Sequence, residues 1–101
     1  MYSTRLTSLL TGLLLAAALL VAGCETAPPV QEMSDARQAI AVAREAGAEQ
    51  LAAIHLKAAE FYLKSAEEKL NNQDFSQARY DAKQAKMKAL DALRFAEKSV
   101  E

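Results

Sequence analysis

From Ser34 onward, apolar residues recur at alternating intervals of three and four, with charged and amide side chains filling most positions between them. That period belongs to an α-helix with one buried stripe, and an a/d repeat of this kind forms a seam along which helices pack. The stretch holds no proline, one glycine (Gly47), and many Ala, Leu, Glu, Lys, Gln and Arg residues, the strong helix formers. The spacing predicts three helices, over about residues 35–46, 51–71 and 75–98. In the first, Ala36, Ala39, Ile40, Ala43 and Ala46 share a face; Ser34 is a good N-cap, Asp35 complements the macrodipole, and Gly47 suits the position past the last turn. In the second, Ala52, Leu56, Ala59, Leu63, Ala66 and Leu70 form the seam. A second stripe of Ile54, Ala58 and Phe61 on the opposite side would place this helix between two neighbours. Asn71 to Asp74 then break the pattern, with Asp74 and Gln77 arranged as a capping box. In the third helix Phe75, Ala78, Ala82, Ala85, Ala89, Ala92 and Ala96 keep the same spacing, so two helix axes can approach closely. The expected fold of residues 34–101 is therefore all-α: an antiparallel helical hairpin or small three-helix bundle, coiled-coil-like and alanine-rich, after an N-terminal signal helix.

Upstream the pattern changes. Leu9 to Ala22 is a mostly apolar run, preceded by Arg5 and closed by the small pair Ala22-Gly23. A bilayer span needs about 20 apolar residues, so this shorter run reads as a secretory signal peptide over residues 1–23. Its end, Leu19-Leu20-Val21-Ala22-Gly23-Cys24, resembles the lipobox of bacterial lipoproteins. The resemblance implies cleavage between Gly23 and Cys24, and a diacylglycerol and an N-acyl chain (palmitate among them) carried by Cys24. Cys24 is the only cysteine, so no internal disulfide is available, and lipidation would remove a reactive thiol from an exported chain. Each buried methylene of an acyl chain contributes about 0.8 kcal/mol, and two or more chains anchor durably. Glu25, rather than Asp, follows the cysteine, which by the Gram-negative sorting rule favours the outer membrane. Residues 24–33, with Pro28-Pro29, read as an extended tether able to hold the domain about 30 Å from the headgroups.

Once the signal is removed, 78 residues remain, 37 of them apolar and 18 of those alanine. Alanine buries little area, so the domain depends on regular helix packing or on association. The remaining 11 Lys/Arg against 13 Asp/Glu give a net charge of −2, which argues against a general nucleic-acid binder. No catalytic or metal-binding constellation stands out: His55 is the only histidine, and it reads as a partly exposed residue beside the second seam. Glu45 with Glu49, and Glu67 with Glu68, read as solvated surface because an alanine-rich bundle offers no cleft to perturb them. The expectation is a protein that is not an enzyme and that takes no metal and no cofactor beyond its covalent lipid.

Two surfaces are candidate contacts. Arg79, Lys83, Lys86 and Arg94 follow one flank of the third helix, either as a site for phospholipid headgroups, peptidoglycan carboxylates or an acidic partner, or as partners of Glu60 and Glu67 across the hairpin. Tyr62, Tyr80, Met87 and Phe95 are large side chains off the alanine seam, either a second layer against the first helix or a contact for another chain.

The blocks Glu32-Met33-Ser34-Asp35-Ala36-Arg37-Gln38-Ala39-Ile40, Ala43-Arg44-Glu45-Ala46-Gly47-Ala48, Leu56-Lys57-Ala58-Ala59-Glu60 and Asp74-Phe75-Ser76-Gln77-Ala78-Arg79 resemble a family of small proteobacterial lipoproteins, the domain of unknown function 4398. The resemblance runs from about Pro29 to Lys98 and implies a helical hairpin or three-helix bundle, without an established activity. Some relatives add an OmpA-like peptidoglycan-binding domain, which is not expected in these 101 residues. Others carry a proline where this chain has Leu51-Ala52-Ala53, so the first two helices could form one bent helix. The expected function is a lipid-anchored, periplasm-facing structural or interaction module of the cell envelope, with a protein partner, self-association or cell-wall contact. A murein-lipoprotein-like alanine-zipper spacer is an alternative, although it needs an unbroken helix and a C-terminal lysine. A periplasmic carrier of small apolar ligands is a third.

Overall fold

A computed structural model describes residues 5–15 and 27–101. Residues 5–15 form a helix, α1. The others are α2 (Val30–Glu45), α3 (Ala48–Leu51), α4 (Ala53–Asn71) and α5 (Phe75–Ser99). No strand occurs among the described residues. The fold is all-α, and of the two expected forms it is the three-helix bundle, built from α2, α4 and α5. Ion pairs fix the directions. Arg37 meets Glu67 and Arg44 meets Glu60, so α2 runs antiparallel to α4. Glu32 meets Arg79, and Asp35 to Val42 lie along Lys86 and Leu90, so α2 runs parallel to α5.

The alanine seams behave as their spacing predicts. Ala78, Ala82, Ala85, Ala89, Ala92 and Ala96 of α5 are fully buried, as are Ala59 and Ala66 of α4. Two core clusters result. One joins Ile40 and Leu56 to the alanines of the far half of the bundle. The other, nearer the start of α2, joins Met33 to Ala66 and Ala82, flanked by Leu63 and Leu70.

The turn between α4 and α5 falls where Asn71 to Asp74 predict it. Gln73 takes φ 61°, while the Gln73 and Asp74 amides donate to the carbonyls of Leu70 and Lys69, which closes the end of α4 as a Schellman motif. Asp74 caps α5 by accepting from the Gln77 amide at 3.3 Å. The reciprocal half of the capping box is missing, because the Gln77 side chain donates to Asp81 instead. Asp81 is the one charged residue buried in the bundle, 5% exposed, with the Ser65 hydroxyl on its other oxygen at 2.7 Å. A satisfied buried carboxylate between two helices disfavours any register that would strip it of its donors.

Three expectations are corrected, and one alternative left open, a single bent helix over the first two segments, is decided. The helix expected from Asp35 begins at Val30, so the extended segment stops at Pro29. Ser34 is an exposed interior residue, and the Pro29 carbonyl accepts the Met33 amide at 3.0 Å. Proline's fixed φ suits the entry to a helix, and Met33 continues the Ala36, Ile40, Ala43 stripe backwards by three. Second, the first two helices are not one bent helix: Gly47, at φ 86°, ends α2, and Ala52, at φ −144°, separates α3 from α4. Third, α5 rather than α4 lies in the middle, packed on both α2 and α4, while those two pack on each other less extensively and carry two ion pairs across their outer groove. Fourth, the second α4 stripe faces solvent, with Ile54 84% and Phe61 68% exposed.

Candidate functional site

Gly23 and Cys24, the expected cleavage and lipidation positions, lie outside the described residues, as does Glu25. The first described residue after them is Ala27, and it is held. The Arg79 guanidinium donates from Nη2 to the Ala27 carbonyl at 2.9 Å and from Nε to Glu32 Oε1 at 3.3 Å. Pro29 is fully buried, and the Val30 amide donates to the Pro28 carbonyl at 2.9 Å. With Pro29 at φ −80°, ψ 58°, that contact is an inverse γ-turn. The entry to the bundle is thereby fastened to the first turns of α5.

The basic flank of α5 does not act as one stripe. Arg79 is committed to Glu32 and Ala27. Arg94 pairs with Asp91 at 3.5 Å within its own helix. Lys83 and Lys86 are exposed and have no ion pair among the described residues. Glu60 and Glu67, expected to pair with this flank, pair with Arg44 and Arg37 of α2. These pairs cross a groove of about 410 Å³ between α2 and α4, floored by Ile40 and Leu63.

The four large off-seam side chains also separate. Tyr80 and Met87 are exposed and lie seven residues apart, on the outer face of α5. Tyr62 is half-buried and meets the Phe61 ring edge-on at 5.6 Å. Phe95, 51% exposed, packs on His55 with ring centroids 5.3 Å apart. Around Phe95 the chain leaves an apolar recess of about 270 Å³, lined by Leu51, Ala52, Ala53, Ile54 and His55. Ile54 stands at its edge, and Phe61 follows two helical turns further along α4. None of the four expected residues therefore forms a second layer on α2. An apolar corner appears instead at the far end of the bundle, centred on Ile54 and Phe95. Its signal in the sequence was the Ile54, Ala58, Phe61 stripe, a correct periodicity assigned to the interior.

Among the described residues, no group of three His, Cys, Asp or Glu side chains is placed to hold a metal ion. Every buried side-chain polar atom there has a hydrogen-bond partner. The geometry offers a held entry segment, two free lysines and an apolar corner.

A family model described as "Domain of unknown function (DUF4398)" matches residues 31–100, most of the chain. The chain belongs to the DUF4398 family. No curated protein matches it, and neither does any solved structure. The DUF4398 match begins one residue into α2 and ends one residue beyond α5, so it covers the whole three-helix bundle. The family boundary thus agrees with the corrected start of α2 rather than with a helix beginning at Asp35.

Proposed function

We propose that this DUF4398 domain is a lipid-anchored module of the bacterial envelope, facing the periplasm from the outer membrane, which works by binding another protein rather than by catalysis. The observation that carries the binding reading is the placement of the large apolar side chains. Alanine closes most of the core, while Ile54 and Phe95 stay on the surface around an apolar recess and Phe61 stays exposed two turns further along α4. A cluster of large apolar side chains on an otherwise polar surface marks an interaction site. The anchor rests on the lipobox-like run from Leu19 to Cys24, and the outer-membrane placement on Glu25. A spacer needs an unbroken helix, and the turn at Asn72-Gln73 folds this chain back.

A photo-crosslinking amino acid at Ile54 of the full chain, expressed in a Gram-negative host, tests the binding role. One or a few discrete adducts are expected there, and none at Lys83 on the outer flank of α5. Equal smears at both positions, or no adduct at Ile54, would remove the corner as the working surface. The anchor is tested separately. The peptide beginning at Cys24 should carry the mass of a diacylglycerol and an acyl chain, and Cys24→Ala should keep the signal segment and carry no added lipid mass.

A further inference from the structure

We infer that Arg79 is an anchor clamp: it holds the segment next to Cys24 against the base of the bundle, so that the domain stands upright on the bilayer surface with its apolar corner at the far end. This rests on the lipidation of Cys24 proposed above. Three observations carry it.

The first is that the entry segment is fastened rather than free. Arg79 spans two acceptors at once, the Ala27 carbonyl at 2.9 Å and Glu32 at 3.3 Å, which suits the forked geometry of a guanidinium. Side-chain exposure is 23% for Arg79 and 28% for Glu32, against 41% or more for both partners of every other ion pair among the described residues. Exposed pairs add little, whereas a partly shielded one with a second hydrogen bond holds its geometry. The Pro29 ring in the same segment is fully buried.

The second is the short distance left to the anchor. Cys24 precedes Ala27 by three residues. At 3.8 Å between consecutive Cα atoms, those residues span at most about 11 Å. The tether of about 30 Å read from the sequence is cut to about a third of that, partly because α2 begins at Val30 and partly because Arg79 holds Ala27.

The third is polarity along the bundle. The start of α2, the end of α4 and the start of α5 lie at one end, because α2 is parallel to α5 and antiparallel to α4. That end carries the exposed polar turn Asn71, Asn72, Gln73 and Asp74, with Val30 at the start of α2 as an exposed apolar residue beside the anchored segment. The Ile54 and Phe95 corner lies at the other end. With 25 residues in α5, the two ends are about 35 Å apart. A polar base held close to the headgroups leaves the apolar corner where a protein partner, and not the lipid, meets it.

The test uses the full lipidated chain reconstituted in phosphatidylethanolamine and phosphatidylglycerol vesicles that contain a headgroup-nitroxide lipid. With the Cys24 sulfur in a thioether, a fluorophore is attached through Asn72→Cys at the base or Gln50→Cys at the far end. Quenching is expected to be several-fold stronger at the base. Arg79→Gln should erase most of that difference and speed hydrogen exchange of the hydrogen-bonded Val30 and Met33 amides about tenfold, with the Leu56 amide in the seam unchanged. If R79Q loses its helical circular dichroism, R79K carries the same test, because it keeps the charge beside Glu32 but lacks the fork. Equal quenching at both ends of the lipidated native chain would overturn this inference and leave the anchor standing. So would unchanged exchange and quenching in R79Q. A Cys24 peptide without lipid would overturn the anchor and the upright stance together.

Discussion

Ala89→Leu is expected to lower the stability of the bundle by about 2–3 kcal/mol, seen as a fall of about 10–20 °C in the thermal midpoint followed by circular dichroism. Ala89 is fully buried in the cluster that joins Ile40 and Ala43 of α2 to Leu56 and Ala59 of α4. It lies on the central helix, so both neighbours close over it. Leucine adds three carbons where two helix axes are held together by the absence of side chains, and neither neighbour can retreat without opening its own alanine contacts. Met87→Leu, at an exposed site two residues away, is the control and should change stability by no more than about 0.5 kcal/mol. A small change at Ala89 would show that the seam is loosely packed, and the three-helix arrangement would need revision.

The alanine repeat explains why much of the fold was legible. Six alanines at intervals of four and three in α5 have no competing reading as a strand or loop, and the break at Asn71 to Asp74 has its own turn chemistry. The order of the helices was less legible, for a physical reason. An alanine face has no protruding side chains to point at one partner, so it accepts neighbours along both of its edges. α5 does so, receiving Glu32 on Arg79 at one flank and Ser65 on Asp81 at the other. The apolar positions of α4 suggested two neighbours of its own, yet Ile54 and Phe61 stay in solvent. Periodicity locates a face but does not say whether a partner covers it within the same chain.

The candidate site was legible only in parts. Arg79 stood out as one of four basic residues on a flank, whereas its partners lie 47 and 52 positions earlier in the chain. Contacts of that separation follow from the parallel placement of α2 and α5, which spacing within a single helix does not reveal. Arg37 and Arg44 are the converse case. They pair with Glu67 and Glu60, the carboxylates that spacing alone had offered to the basic flank of α5.

Met33→Ala should cost about 2–5 kcal/mol, a large share of the stability of so small a domain. Met33 is 2% exposed, the largest fully buried side chain alongside Pro29, and the only bulky residue at the centre of the cluster it shares with Ala66 and Ala82. Its fully buried neighbours there are alanines, which have no side chain to swing into the space it leaves, while Leu63 and Leu70 reach the cluster only from its edge. Met33→Leu preserves most of the volume and should cost less than about 1.5 kcal/mol. Urea denaturation of the three proteins measures both differences. The result also decides where the domain begins. If residues 24–33 were an extended tether, Met33 would lie outside the fold, and its replacement by alanine would leave the midpoint unchanged. A loss of the expected size places the first turn of α2 inside the cooperative unit. It would also show that the segment gripped by Arg79 unfolds with the bundle rather than ahead of it.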